Sequence, residues 1–230
     1  MNRTKLIDIV HFDTNAPANA PRTTLWFDQR ELENPQATIA SLIADPATFG
    51  VVHGEYSAVM TRDQGLRLFE YLRKGNYRTD RVETKGKPDA ILGLSFGDNP
   101  DVNEVLAEKF VGAAVQFPDA EMCPQWELAR ALRWNSSINK RRIHQIDRDC
   151  DRIYITSLEV IDKFKRNFGA EAAPNVLLIA QAWHAPRCLD ICTKRQVHVV
   201  GGAFVDAFSP NDPQEWVRNW LTWVLKEGTK

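Results

Sequence analysis

Val176 to Ala180 is an unbroken apolar run, followed by Gln181, Trp183, His184, Pro186 and Arg187 and then by a helical pattern. Such a run marks a strand buried on both faces of a parallel sheet. The same regime recurs from Asp89 onward. Ala90–Leu94, Ala113–Phe117, Arg142–Ile146 and Val197–Val200 also read as strands. Helical periodicity fills the gaps, at Val102–Val111, Pro124–Trp134, Tyr154–Phe168 and Ala185–Lys194, with a last helix at Pro213–Lys226. The third of these puts Leu158, Ile161, Phe164 and Phe168 inward and stops at Gly169. Five strands separated by helices predict a parallel sheet with helices on both faces. Right-handed crossovers then make the α/β core a Rossmann-like three-layer sandwich with a five-stranded parallel sheet.

Residues 1–86 have a different texture. Pro17, Pro21 and Pro35 break the beginning into loops. Ala37–Ile43 reads as a short helix closed by Asp45 and Pro46, Gly50–Met60 as a strand, and Thr61–Tyr71 as a helix. Thr61 and Gln64 have capping-box spacing, and Leu66, Phe69 and Leu72 share a face. Lys74–Pro88 is polar and charged, with Gly75 and Gly86, and reads as a linker. The division is therefore an N-terminal α+β extension, 1–86, packed on a core, 87–230. Trp216, Trp220 and Trp223 recur at helical spacing, the pattern of a core stripe rather than an aromatic binding surface.

Composition narrows the function classes. The chain has 230 residues, 43% of them hydrophobic, and a formal net charge of −1. That supports a sizeable core and gives no electrostatic case for nucleic acid as the main partner. No apolar stretch is long enough to span a bilayer, and the first residues lack the apolar centre of a signal peptide, so no membrane anchor is visible and a cytoplasmic location is expected. Cys123, Cys150, Cys188 and Cys192 form no CxxC pair and read as buried reduced thiols. His11, His53 and His144 show no metal spacing, so no metal is expected.

From Asp89 the order is a strand ending in a glycine-containing turn, DAILGLSFG, a helix EVLAEKF, a short strand, an Asp/Thr/Glu segment, and a strand–His–x–x–Arg element in VLLIAQAWHAPRC. This resembles the bacterial domain-of-unknown-function family typified by SanA, ElyC and YdcF, over residues 89–203. The resemblance implies a Rossmann-like fold, and several members of that family are linked to the cell envelope. It places the first-strand turn on Gly93–Gly97, the acidic residue on Asp147 with Thr156 and Glu159 after it, and the His and Arg on His184 and Arg187. The chain departs from the family in its spread glycines, in PDAEMCPQWE where a glycine-rich turn is expected, and in the lack of an anchor.

The candidate site follows from where these residues fall. In open parallel sheets ligands bind outside the carboxyl ends of the strands. Gly93, Ser95 and Gly97 form a turn whose backbone N–H groups suit an anion. The same five residues, GLSFG, also match the nucleophile elbow, although Asp98–Asp101 separates Ser95 from the next helix; His184 or His198 with Asp206 would then complete a triad. A plain strand–helix turn is the third reading. His184 and Arg187 open a helix, where a neutral imidazole and a bidentate guanidinium suit phosphate or carboxylate. Capping by His184 and a surface ion pair of Arg187 is the alternative. Asp147, Asp149 and Asp151 read as a solvated acidic turn, with Asp147 the one member placed for a ligand. Gln125 and Glu127 also stand at the ligand edge, or are plain helix-surface residues. No G-x-G-x-x-G and no Walker A motif is present, so the cofactor stays open. Three functions follow: a small-molecule binder taking an anionic or nucleotide-like ligand, a serine hydrolase using Ser95, or a non-catalytic interaction module. Catalytic residues, ligand identity, oligomeric state and the role of residues 1–86 are not readable from the sequence.

Overall fold

The computed structural model describes residues 3–9, 23–28, 33–44, 62–133, 135–149, 155–168 and 174–228. The expected strand at 50–60 and the capping residue Thr61 lie outside them, as do Cys150, Asp151, Tyr154 and Gly169. The chain forms two compact units, one of residues 1–77 with 214–230, the other Arg78–Pro213. The division thus falls nine residues earlier than the linker pattern suggested, and the last helix groups with the N-terminal part.

The first unit holds a two-stranded antiparallel sheet of β1 (Arg3–Ile9) and β2 (Thr23–Asp28), with Arg3 opposite Asp28 and Ile9 opposite Thr23. Its described residues also hold three helices, α1 (Pro35–Ala44), α2 (Arg62–Arg73) and α7 (Trp220–Gly228). The helix expected over Pro213–Lys226 is divided: a 3-10 turn covers Glu215–Val217, and α7 starts only after Asn219, whose side chain accepts the N–H of Thr222 at 3.0 Å. An N-cap of that kind satisfies one of the orphan donors of a helix start. Trp220 and Trp223 are buried, as a core stripe requires, while Trp216 carries the Lys226 ammonium 3.5 Å over its ring. Gly228 lets α7 approach α2 closely, because a Cβ there would meet Leu68 Cδ1 at 2.5 Å.

The second unit is built on a five-stranded sheet of β3 (Arg81–Val82), β4 (Ala90–Gly93), β5 (Glu121–Pro124), β6 (Asn175–Gln181) and β7 (His198–Val205), in the order β3-β7-β6-β4-β5. β4 pairs in parallel with both β5 and β6, and β6 with β7. β3 runs antiparallel to β7, so the sheet is mixed and not wholly parallel as expected. The segment read as a linker supplies this edge: the N–H of Lys85 donates to Val200 O at 2.7 Å and that of Thr79 to Ala182 O at 3.0 Å. Two residues suffice for such an edge, because only one side of the strand must pair.

The strand expected at Ala113–Phe117 is instead the last turn of α3 (Pro100–Gln116). Its run of apolar residues is not buried on two faces, since Val115 is 60% exposed while Ala113 is buried. Alanines favour the helix, Pro100 fits its first turn, and Phe117 closes it with an N–H to Ala113 O. The sheet strand comes four residues later, at β5. The strand expected at Arg142–Ile146 survives only as a rudiment. Two isolated parallel bridges, Met122 to Ile143 and Gln125 to Ile146, flank β5 after a 3-10 turn at Lys140–Arg142.

Helices α3 and α4 (Trp126–Leu132) pack together, α3 lying on β4, β6 and β7. Helices α5 (Ser157–Phe168) and α6 (Ala185–Lys194) form a second pair, with α6 on β6 and β7. The connection from β4 to β5 runs one way across the sheet and that from β6 to β7 the other. Val176–Ala180 is fully buried, as its apolar run requires.

Candidate site at the carboxyl edge of the sheet

The strand order reverses between β4 and β6, and the loops leaving these two strands carry most of the polar residues singled out in the sequence. Eight of the nine buried polar or charged residues among those described lie at this edge: Ser95, Asn103, Gln125, Ser157, Gln181, His184, Ser209 and Asp212. Buried polar groups cost free energy unless they find partners, so their concentration at one end of the sheet needs a reason.

After β4, the turn Leu94–Asn99 is held from within. The N–H of Ser95 donates to Gln125 Oε1 at 3.2 Å and that of Phe96 to Asn103 Oδ1 at 3.1 Å. Asn103 Nδ2 donates in turn to the carbonyls of Gly97 and Asn99. Gly97 has φ +78°, which is why a glycine stands there. The N–H groups of Asp98 and Asn99 both donate to Asp212 Oδ2, at 2.9 and 2.8 Å. Gly93 has a different role. A Cβ on it would sit 2.4 Å from Leu128 Cδ2 and 2.8 Å from Phe110 Cδ2, so this glycine lets α3 and α4 close on β4.

The Ser95 hydroxyl donates to Glu127 Oε2 at 2.8 Å, not to a histidine, and the following helix starts at Pro100 rather than at the serine. Burial of Glu127, reinforced by the charge of Asp98, holds its carboxyl above the usual carboxylate range despite hydrogen bonds from Ser95 and Gln125. Glu127 lines a cleft of about 370 Å³ between α3 and α4, with Asp98, Asn103, Glu104, Arg130 and Arg133.

After β6, Gln181 Oε1 accepts the N–H groups of Trp183 and His184, at 2.7 and 3.0 Å. His184 takes the N-cap position of α6 but makes no capping bond; its Nε2 lies 2.8 Å from Ser157 Oγ, at the start of α5. The imidazole also meets the Phe96 ring at 5.8 Å, which ties the β4 and β6 loops together. Thr156 and Glu159 form a reciprocal capping box: the Thr156 N–H and hydroxyl both donate to Glu159 Oε2 at 2.8 Å, and the Glu159 N–H donates to Thr156 Oγ1. That accounts for Thr156 structurally. Arg187 is half-buried in the first turn of α6. Asp147 is exposed; Gln145 donates to its carboxylate, and Lys163 Nζ reaches both its carbonyl and the carboxylate of Asp149.

The segment Asp206–Asp212, which follows β7, runs across this edge. Asp206 accepts the indole N–H of Trp183 at 3.0 Å and pairs with Arg78 at 2.9 Å. Gln181 Nε2 donates to Ala207 O, and Phe208 lies against both Phe96, at 5.8 Å, and Trp183, at 6.4 Å. Ser209 donates to Asp101 at 2.9 Å, and Asp212, fully buried, ends the crossing on the Asp98 and Asn99 amides. The segment is thus a strap from the end of β7 over β6 to the start of α3.

Ser95, Gln125 and Glu127 therefore meet directly, and His184 touches both Phe96 and Ser157. Gly97 anchors the β4 turn, whereas Gly93 is a packing position and Asp147 a solvated acid bonded to its own neighbours. Ser157 and Asp212 were not foreseen. Ser157 follows Thr156 in the capping-box motif, a signal that placed the helix start but not its contact with His184. No His, Cys, Asp and Glu group suited to a metal occurs among the described residues, and no helix among them is long and apolar enough to cross a membrane. No family model, curated protein or solved structure matches the chain.

Proposed function

We propose that Arg78–Pro213 is a Rossmann-like domain that binds a small anionic or nucleotide-like ligand at the carboxyl edge of its sheet. The observation that carries this reading is the reversal of strand order between β4 and β6, where the buried polar residues gather. Such switch points open a crevice outside the strand ends, and ligands of open α/β sheets bind there. Arg187, half-buried beside the start of α6, is the cation placed for the ligand's charge. The reading accords with the resemblance of residues 89–203 to the SanA, ElyC and YdcF family.

The test is a thermal-shift screen of nucleotides, sugar phosphates and methyl donors. A ligand at a hundred times its Kd stabilises the folded state by about 2.7 kcal/mol. At least one anionic compound should raise the melting temperature, and Arg187→Ala should remove the effect. Failure of every anionic compound overturns the proposal.

A second reading, a non-catalytic interaction module, is favoured by the strap, which satisfies the edge from within through Phe208 and Asp212. Resistance of the edge to every small molecule, with retained binding to a partner protein, would favour it. The serine hydrolase reading requires that Ser95 leave Glu127 and be labelled by a fluorophosphonate.

A further inference from the structure

We propose that the cleft between α3 and α4 binds a small zwitterion of the amino-acid type, its anionic group on Arg130 and Arg133 and its ammonium on Glu127 and Asp98. The proposal goes beyond the anionic ligand read for the carboxyl edge: Arg187 does not line this cleft, and the ligand named here is of a second class. The cleft measures about 370 Å³, within the span usual for small-molecule sites.

Its charges are divided. Glu127, Arg130 and Arg133 follow one another at spacings of three from the start of α4 to its C-cap, which puts them along one side of the helix. Arg130 lies over the Trp126 ring, its guanidinium carbon 5.6 Å from the centroid, and neither arginine forms an ion pair with a described residue. The facing wall brings Asp98 from the β4 turn and Glu104 from α3. Asn103, between them, is fixed by three hydrogen bonds to the turn and so shapes the wall. A simple anion placed here meets three carboxyls, and a simple cation meets two guanidiniums. A molecule carrying both charges satisfies both walls.

Glu127 makes the proposal testable by sign. Burial and Asp98 disfavour its ionised form, and an ammonium bound beside it restores that form. Zwitterion binding therefore releases a proton and tightens as pH rises through the Glu127 pKa, by up to about tenfold per pH unit for one proton. A bare anion in the same cleft demands protonated Glu127 and binds more tightly as pH falls. The acids Asp98 and Glu104 and the cations Arg130 and Arg133 are the other charged groups facing it.

The experiment is calorimetric titration of the full chain with the common free amino acids, with matching carboxylates lacking the amine, with matching amines lacking the carboxylate, and with inorganic phosphate, over a pH series. At least one amino acid should bind, its two halves should not, and affinity should rise with pH. Glu127→Gln should weaken binding about tenfold and flatten the pH dependence, and Arg133→Ala, at an exposed position, should abolish binding without loss of fold as read by circular dichroism. Tighter binding at lower pH, equal binding of carboxylate or phosphate, or no amino-acid binding overturns the proposal. Stabilisation by nucleotides or sugar phosphates through Arg187 in that last case would leave the broader edge reading standing; its absence too would remove both.

Discussion

Replacing Gly93 by alanine separates a packing role from a ligand role at a position the sequence offers for either. The backbone itself does not need glycine there, because the positive-φ glycines among the described residues are Gly75, Gly86 and Gly97. The new methyl would lie 2.4 Å from Leu128 Cδ2 and 2.8–2.9 Å from two atoms of the Phe110 ring. Carbon atoms rest about 3.5–4.0 Å apart, so each neighbour must retreat by roughly half an ångström to more than an ångström. Both are fully buried and have nowhere to swing. Overpacking of this kind costs about 1–3 kcal/mol. Loss of unfolded-chain entropy returns about 0.4–1 kcal/mol. A net loss of about 1–2 kcal/mol is expected, read as a lower urea midpoint at unchanged m-value.

Gly112 supplies the contrast. It lies in the interior of α3, and nothing stands within 4 Å of the Cβ that alanine would add. Gly112→Ala should stabilise by about 0.5–1 kcal/mol, the helix-propensity difference. A Gly93→Ala protein as stable as the parent, in an assay that registers the Gly112→Ala gain, would refute the close packing of α3 and α4 on β4.

Glu127 has a raised folded pKa, so the folded state holds its proton longer than the unfolded chain; stability should fall as pH rises from the ordinary glutamate range through the folded pKa, and Glu127→Gln should remove that decline in urea titrations at several pH values. Glu121 behaves oppositely: burial raises its pKa, but hydrogen bonds from His144 and Arg142 leave it net lowered, so its contribution is present above the unfolded pKa and lost as pH falls through the folded one, a loss that Glu121→Gln should abolish. Asp212→Asn should weaken two hydrogen bonds to a charged acceptor, costing about 1–2 kcal/mol locally; amide exchange should accelerate at Asp98 and Asn99 and stay unchanged in β6, and uniform acceleration would refute a local role for Asp212. Burial pushes the Cys192 thiol up to about 12, so peptide mapping should find it unalkylated in the folded protein at neutral pH and alkylated in urea.

The core strands were legible where burial leaves an unambiguous mark. Val176–Ala180 is apolar at every position because both faces are covered, and no helix of that length would need this. Ala113–Phe117 misled because a short, mostly apolar segment is also the end of a helix; the exposed Val115 distinguishes the two, and exposure is not written in the residue types. β3 was hidden for the opposite reason. Arg81 and Val82 need no apolar pattern, since an edge strand is specified by backbone pairing with β7 and not by its side chains. β1 and β2 pair in a stretch that Pro17, Pro21 and Pro35 had marked as loops.

The site was legible as a list of loops, not as a set of contacts. Ser95 and His184 follow the ends of β4 and β6, and Arg187 falls in the first turn of α6, positions that follow from the apolar runs. Which groups fill those loops depends on partners far along the chain. The acceptor on the Asp98 and Asn99 amides comes from Asp212, more than a hundred residues on, and the partner of His184 is Ser157 rather than Ser95. The sequence reading expected the β4 turn to offer its N–H groups to an external anion; in the structure Gln125, Asn103 and Asp212 already occupy those of Ser95, Phe96, Asp98 and Asn99. An anion reaching this turn must displace a carboxylate that is fully buried and doubly bonded, whereas the Glu127 cleft presents the guanidiniums of Arg130 and Arg133. Ligand chemistry at this edge is therefore decided by which side chains the strap leaves available, and that selection is made by tertiary pairing that no local motif encodes.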